Sequence, residues 1–274
     1  MSTSVARTDT SPAAPRRGPW WRRVSPRWIR LASIVVVLIA WEVVGRLNPL
    51  FTSYPTAIAR AAVDLVQDGR LQPALLTTIQ GLGAGYFLAI GIGVPLGFAM
   101  ARIRTLNIAL DPYVAALYAT PRITLIPLLV LMVGIGFQLR LVIVVLSAVF
   151  PVIINVRDGA LEVDRNYIDV ATSFAASRWQ VLRTVVLPGS VPYLFVALRI
   201  GAQRAIIGVI VAEMTSALAG TGILLLDLAQ FFRTDAVMVI ILIIGFFSIL
   251  VTAGLRWIQL RVSPWLRSTS EGER

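Results

Sequence analysis

Three arginines, Arg122, Arg199 and Arg204, interrupt stretches that are otherwise apolar. A charge inside a lipid-crossing segment is costly, so it points to a solute path, a bound partner or backbone carbonyls that have lost their helical donors. At a rise of about 1.5 Å per residue, Arg122 lies about 15 Å from the inner end of its segment and Arg199 about 16 Å beyond Pro188, which puts both near mid-bilayer. The acids that could neutralise them, Glu42 and Glu213, belong near the outer ends of their segments. The partner is then an anion or a run of freed carbonyls. On the first reading Thr120, Arg122, Arg199 and Gln203 line a route tolerant of a small anion, with Gln203 on the face of Arg199 one turn later. On the second, Arg122 ties up carbonyls released by Pro121 and Pro127, and Arg199 bonds to a neighbouring helix or across a dimer. Arg204, about 140° round the helix from Arg199, cannot face the same route, so at least one of the two is structural.

Other chemistry is excluded by residue types. The chain has no Cys and no His, which removes thiolate and imidazole metal ligands, Cys nucleophiles and a Ser-His-Asp relay. All 25 basic residues are Arg, so a phosphate-binding loop that requires Gly-Lys-Ser/Thr is absent as well. If ATP drives this protein, a different chain hydrolyses it. No cofactor is expected here.

These residues must be held by elements suited to lipid, since 57% of the 274 residues are hydrophobic and the mean hydropathy is +0.79. An all-α, polytopic membrane protein follows, with six spans at about 29–47, 76–100, 112–136, 139–156, 189–213 and 236–257. Pro121 and Pro127 interrupt the third. Residues 1–28 read as a disordered tail running into an interfacial anchor of Arg22, Arg23, Arg27, Trp20, Trp21 and Trp28, and 263–274 as a second tail. The apolar stretch from Leu31 ends at Trp41-Glu42 without a small-residue cleavage site, which favours a first span over a signal peptide. Between the first two spans, 55–68 places Ile58, Ala61, Ala62, Leu65 and Val66 on one face, the pattern of an amphipathic surface helix. In the second span Gly81, Gly85, Gly93 and Gly97 form two small-xxx-small pairs, which let helix backbones approach closely.

Charge placement sets the orientation. With the N-terminus in the cytoplasm, inside segments hold seventeen Arg against five outside, Arg46, Arg60, Arg70, Arg140 and Arg233. That bias predicts both termini in the cytoplasm, and it explains the net charge of +11 without nucleic acid. Residues 214–235 become the last outer loop, whose Asp227, Arg233 and Asp235 form a solvated surface or touch a further protein.

The loop at 157–188 is too structured for a plain connection. Tyr167, Val170, Ala171 and Phe174 recur at helical spacing, Ser177 starts a second helix carrying Trp179, Leu182 and Val186, and Pro188 sits where a new membrane helix begins. The loop resembles the EAA motif of ABC importer permeases: Glu-Ala-Ala, three residues, Gly, nine residues, Ile, one residue, Leu-Pro. Asp169, Val170 and Ala171, then Ala175, Val185, Leu187 and Pro188 hold those positions. Asp169 keeps the acid with Val170 beside it, whereas Ala175 in place of Gly weighs against a tight turn. An amphipathic helix resting on lipid headgroups accounts for neither the spacing nor the Leu-Pro.

The resemblance implies a type I ABC importer permease fold over 29–262 and a mechanical role for the loop: a short helix seats in a cleft of an ATPase subunit and moves with it. Asp169 would pair with a cation across that interface and Phe174 or Trp179 would be an apolar anchor. Pro121-Arg-Ile-Thr-Leu-Ile-Pro-Leu, Val133-Gly-Ile-Gly, Ala212-Glu-Met, Gly220-Thr-Gly and Phe232-Arg-Thr-Asp235 resemble, in that order, permeases for nitrate, sulfonate and taurine. Implied partners are a cytoplasmic ATPase dimer that binds ATP and Mg, an extracytoplasmic substrate-binding protein, and a second copy of the chain. The implied location is a bacterial inner membrane. A stand-alone secondary transporter or channel is the alternative, and it would need mid-span carboxylates or a selectivity ring, of which the carboxylates are missing. A membrane-embedded enzyme lacks any catalytic constellation.

Overall fold

The computed structural model describes residues 26–47, 52–216 and 219–263. The tails expected at 1–28 and 263–274 therefore lie almost wholly outside the described residues. Among the described residues the secondary structure is helical, with no strand. Five helices are long and apolar enough to cross a membrane, or six if one bent pair is a single span.

Two compact units divide the chain, residues 1–55 and 56–274. In the first, α1 (Pro26–Leu47) is apolar until its last turns, where the chain folds back on itself. Trp41 Nε1 donates to the Ser53 carbonyl at 2.9 Å, and Arg46 pairs with Glu42 at 2.6 Å while lying over the Tyr54 ring. Gly45 permits this return, because a Cβ there would stand 2.8 Å from the Ser53 carbonyl.

The second unit begins with α2 (Pro55–Gln67), which buries Ile58, Ala61 and Leu65 as the amphipathic pattern requires, although Val66 is exposed. Its centre is three long helices, α3 (Leu71–Arg102), α6 (Phe137–Leu161) and α9 (Leu187–Ser216). Both predicted glycine pairs lie in the α3/α6 seam. A Cβ on Gly85 would strike Val144, one on Gly93 would strike Val152, and one on Gly97 would meet the Ile153 carbonyl at 2.8 Å. Gly81 faces the aliphatic stem of Arg140 in the same way. Partners advance together along both helices, so α3 and α6 are parallel and interlock at every small-residue step. On its other side α6 meets α9 in the reverse order, Ser147 with Gly208, Val152 with Gly201 and Gly159 with Tyr193, so those two are antiparallel. Leu82, Ala89, Val144, Ala148, Val149, Ala205 and Val209 fill the space between.

The remaining elements differ instructively from expectation. The third span begins at α4 (Arg104–Ala119) rather than near 112, and it is not straight. Thr120 and Pro121 are extended, a 3₁₀ turn covers Arg122–Leu125, and α5 (Ile126–Val133) leaves at 93° to α4. Pro121 causes the break, because a proline drives the residue before it out of helical conformation. Pro127 is harmless in the first turn of α5, where its missing N–H has no helical partner. A straight-helix depth for Arg122 therefore does not apply. Within the expected last outer loop lies α10 (Thr221–Gln230), and α11 (Thr234–Val262) closes the chain.

Pro188 does not open a new helix. The loop's second helix, α8 (Arg178–Val181), passes through a π-turn at Leu182–Val186 straight into α9, giving one rod of 38 residues from Arg178 to Thr215. The wide turn lies where the Pro188 ring would otherwise collide with the carbonyl four residues earlier, which is how a helix absorbs a proline without breaking.

The glycine seam is testable by adding one methyl group. Gly97→Ala is expected to lower the stability of the detergent-solubilised protein by about 1–3 kcal/mol, because the Ile153 carbonyl is backbone and cannot swing away. Gly91→Ala, with nothing within 4 Å of its Cβ, should leave the melting temperature unchanged or raised.

Candidate functional site

The loop expected to receive force is built as a rigid hairpin of short helices. The first, α7 (Arg165–Ser173), starts at Asp164, whose carboxylate accepts from Asn166 N at 2.9 Å. It stops where Ala175 takes φ = 57°, the left-handed conformation that ends helices and suits glycine. The turn that Ala175 seemed to disfavour is therefore made, with alanine carrying its steric cost. Ser177 and Gln180 form a reciprocal capping box, Ser177 N donating at 2.7 Å and Gln180 N donating back at 3.3 Å, which starts α8 as expected.

Burial sorts the predicted residues of this loop. Ile168 and Ala171 turn inward against Ala160, Val181 and Val186, and they fix α7 to the ends of α6 and α9. Asp169, Val170, Ala175 and Pro188 are exposed, and so is Leu187 by a small margin. Phe174 at 84% and Trp179 at 67% exposure leave two large rings with no packing partner, with Tyr167 and Val170 beside them. Arg102 Nη2 bonds the Arg178 carbonyl at 3.1 Å, tying α3 to the start of the rod, and Arg157 pairs with Asp158 and Asp111 to tie α6 to α4.

The pathway residues are gathered less tightly than their spacing implied. At the α4/α5 elbow Arg122 donates Nε to the Leu146 carbonyl of α6 at 3.1 Å, and its guanidinium lies 5.8 Å from the centre of the Tyr118 ring. Leu146 is in mid-helix, so the carbonyls freed by Pro121 and Pro127 are not what holds Arg122. Thr120 turns its hydroxyl back to the Ala116 carbonyl at 2.8 Å, capping its own helix. Arg199 likewise bonds within its helix, Nε to the Phe195 carbonyl at 3.3 Å. Gln203 is exposed one turn further along. The charge nearest Arg122 on α9 is Arg204, which sequence spacing had set aside.

Sequence reasoning also missed a buried ion pair. Arg140, counted among the outer-side arginines, is 5% exposed and faces Glu213, which is wholly buried, at 3.7 Å. Its Nη1 and Nη2 donate to the carbonyls of Thr77 and Ala219 at 3.3 and 3.1 Å. Glu213 accepts from Thr78 Oγ1 and Gly222 N, each at 2.9 Å. Gly220 at φ = 118° leaves room for the carboxylate, which a Cβ there would overlap. The two short strings Ala212-Glu-Met and Gly220-Thr-Gly are thus the two halves of one lock that pins α10 to α3, α6 and α9. An acid closing an apolar helix just before a Gly-Thr-Gly turn was the available signal; only the fold supplies Arg140.

These parts define a helical membrane protein of the transporter class, with closely packed spans, an elbow bearing a charge, and a rigid polar loop presenting apolar rings. The family described as binding-protein-dependent transport system inner membrane component matches residues 93–268, and the chain belongs to it, as an ABC importer permease. It is 29% identical over 259 residues to the taurine transport system permease protein of Escherichia coli, covering 89% of this chain and 94% of that one. It is 23% identical over 269 residues to the nitrate import permease protein of Synechocystis sp., covering 94% and 98% respectively. Among solved structures, an inward-facing methionine ABC transporter superposes with a TM-score of 0.57 at 21% identity, over 69% of this chain and 97% of the other, a likeness of fold.

Two substitutions probe this architecture. Glu213→Ala strands Arg140 in a buried position and is expected to cost about 3–5 kcal/mol, read as a lost or lowered unfolding transition in detergent. Ala175→Gly relieves the left-handed alanine and should stabilise the loop by about 1 kcal/mol, seen as slower amide exchange across α7 and α8.

Proposed function

We infer that this chain forms the translocation path of an ATP-driven importer for a small oxyanion, a sulfonate such as taurine or nitrate, and that a cytoplasmic ATPase dimer drives it through α7 and α8. The observation that carries this reading is the rod from Arg178 to Thr215. At about 57 Å it exceeds the roughly 30 Å of a bilayer's hydrocarbon, so its first turns project from the membrane beside the exposed rings of Phe174 and Trp179. A push on that end is delivered along an unbroken helix to Arg199, Gln203 and Arg204. Asp169, exposed on α7, would meet a cation on the ATPase, which would bind ATP and Mg in its own site.

The anionic cargo is supported by the named substrates of the two relatives and by the arginines carried on the apolar helices. Thr120, Arg122, Arg199 and Gln203 are offered as residues of the route. A binding protein delivering cargo on the outer side, a homodimer around the path, and both termini in the cytoplasm complete the proposal, the last supported by the seventeen-to-five arginine bias.

The test is uptake by the chain reconstituted with its ATPase and binding protein in proteoliposomes. Phe174→Ala and Trp179→Ala each remove an interface anchor worth about 2 kcal/mol or more, so ATP-dependent uptake should fall roughly thirtyfold while the amount of chain in the membrane is unchanged. Uptake that continues without ATP, or that ignores both substitutions, refutes the coupling assignment and restores a stand-alone transporter.

A further inference from the structure

Four arginines of this bundle are paired with acids, one of them with carbonyls as well. Arg140 has Glu213 and two carbonyls, Arg157 has two aspartates, and Arg70 and Arg46 have one acid each. Arg122 and Arg204 stand apart. Neither forms an ion pair among the described residues, and each lies within Coulombic range of the other, like charge beside like charge. Arg122 spends Nε on the Leu146 carbonyl, while its Nη2 is enclosed and has no hydrogen-bond partner among the described residues. Arg204 is exposed on the face of α9.

Helix register explains why Arg204, and not Arg199, accompanies the elbow. On α9, Gly208 packs on Ser147 and Gly201 on Val152, so the level of Leu146 on α6 corresponds to about Val209, a little over one turn past Arg204 and nearly three past Arg199. Arg199 lies more than a turn nearer the cytoplasm and about 140° round the helix, and it is bonded to Phe195. The elbow at Pro121 delivers one guanidinium from α4/α5, and α9 delivers a second from little more than one turn away, within the reach of a long side chain. Two fixed cations without an acid are a poor arrangement in lipid unless something negative visits them.

We propose that Arg122 and Arg204 form a two-armed oxyanion site within the span layer, at which the cargo pauses between release from the outer side and entry to the cytoplasm. The inference rests on the anion reading above and assigns it a place. A planar guanidinium donates two parallel N–H groups to two oxygens. Sulfonate and nitrate each present three oxygens and so can engage a fork from either side, whereas one guanidinium alone leaves an oxygen without a donor. Arg122 is oriented before the anion arrives, because Nε is held by Leu146 and the ring of Tyr118 supports one face. Arg204, exposed, is the arm free to close on the anion and release it.

The experiment measures uptake of radiolabelled taurine and of nitrate by the full importer in proteoliposomes, with binding-protein-stimulated ATP hydrolysis read in parallel. Arg122→Gln and Arg204→Gln should each reduce uptake of the transported anion about tenfold or more while hydrolysis changes less than about twofold, a split that misfolding would not produce. Because both arms hold one anion, the double substitution should be little worse than either single one. Arg204→Lys and Arg122→Lys keep the charge but lose the fork, and should recover uptake only in part, above the glutamine variants and below the wild type. Arg60→Gln, on the exposed face of α2, should change nothing. If Arg122→Gln is lost from the membrane, Arg204→Gln and the lysine variants carry the test. Wild-type uptake of either anion with unaffected single variants, or losses that multiply in the double, overturns the shared site alone. Wild-type liposomes that accumulate neither anion overturn the anionic-cargo reading itself, and the site with it.

Discussion

Backbone-to-backbone contact between α3 and α6 is the constraint on which the rest of this protein depends. Lipid offers no hydrophobic drive to press two apolar helices together, so their association must come from close van der Waals packing. Gly81, Gly85, Gly93 and Gly97 make that possible by admitting Arg140, Val144, Val152 and the Ile153 carbonyl into space that a single methyl group would occupy. With the seam closed, α6 has one side left for α9, and Gly201, Gly208 and Gly159 repeat the device there with the helices antiparallel. The position of every functional element is then referred to α6. Its N-terminal end carries Arg140, its carbonyl at Leu146 holds the elbow, and its C-terminal end receives α7.

Charge is treated in opposite ways at two levels of this bundle. At the start of α6 Arg140 and Glu213 are buried with a nearly complete set of partners, and the pair joins four helices through Thr78, Thr221 and Gly222. A lock of this kind specifies one arrangement, since removing either partner leaves a charge with nothing to face. Further along α6 Arg122 and Arg204 share no acid among the described residues, the first half-buried at the elbow and the second exposed on α9. The first arrangement suits a part that must stay fixed, and the second suits a place through which charge passes.

Loop and span are continuous in one helix from Arg178 to Thr215. A break at Pro188 would have made a hinge between them, so that motion of α8 would be absorbed before reaching the membrane. The π-turn at Leu182–Val186 accommodates the proline and keeps one helix. Ala175 shows the same economy at the other corner of the loop: the left-handed turn that separates α7 from α8 is kept by a residue less suited to it than glycine, which leaves α7 and α8 as two arms around Ile168, Ala171 and Val181.

The span order, the amphipathic α2, the capped helices of the loop and the interlocking role of the glycines were legible from residues alone, because each is a local rule of periodicity, capping or small-residue spacing. Phe174 and Trp179 were singled out only through the resemblance, and their exposure, with Ala171 of the same spacing turned inward, is a finding of the structure. Three matters were decided only by tertiary structure. Arg140 looked like one more outer-side arginine until α6 laid it across Gly81 beside Glu213. Pro188 and Pro121 looked alike as breaks, yet one is absorbed in a π-turn and the other bends the chain by 93°. Arg204 rather than Arg199 came to accompany Arg122, because which side of α9 meets the elbow depends on how that helix is rotated against α6. Sequence specifies what a helix can present on each face; the partner that a face meets, and at what height, is set by the packing of helices far apart in the chain.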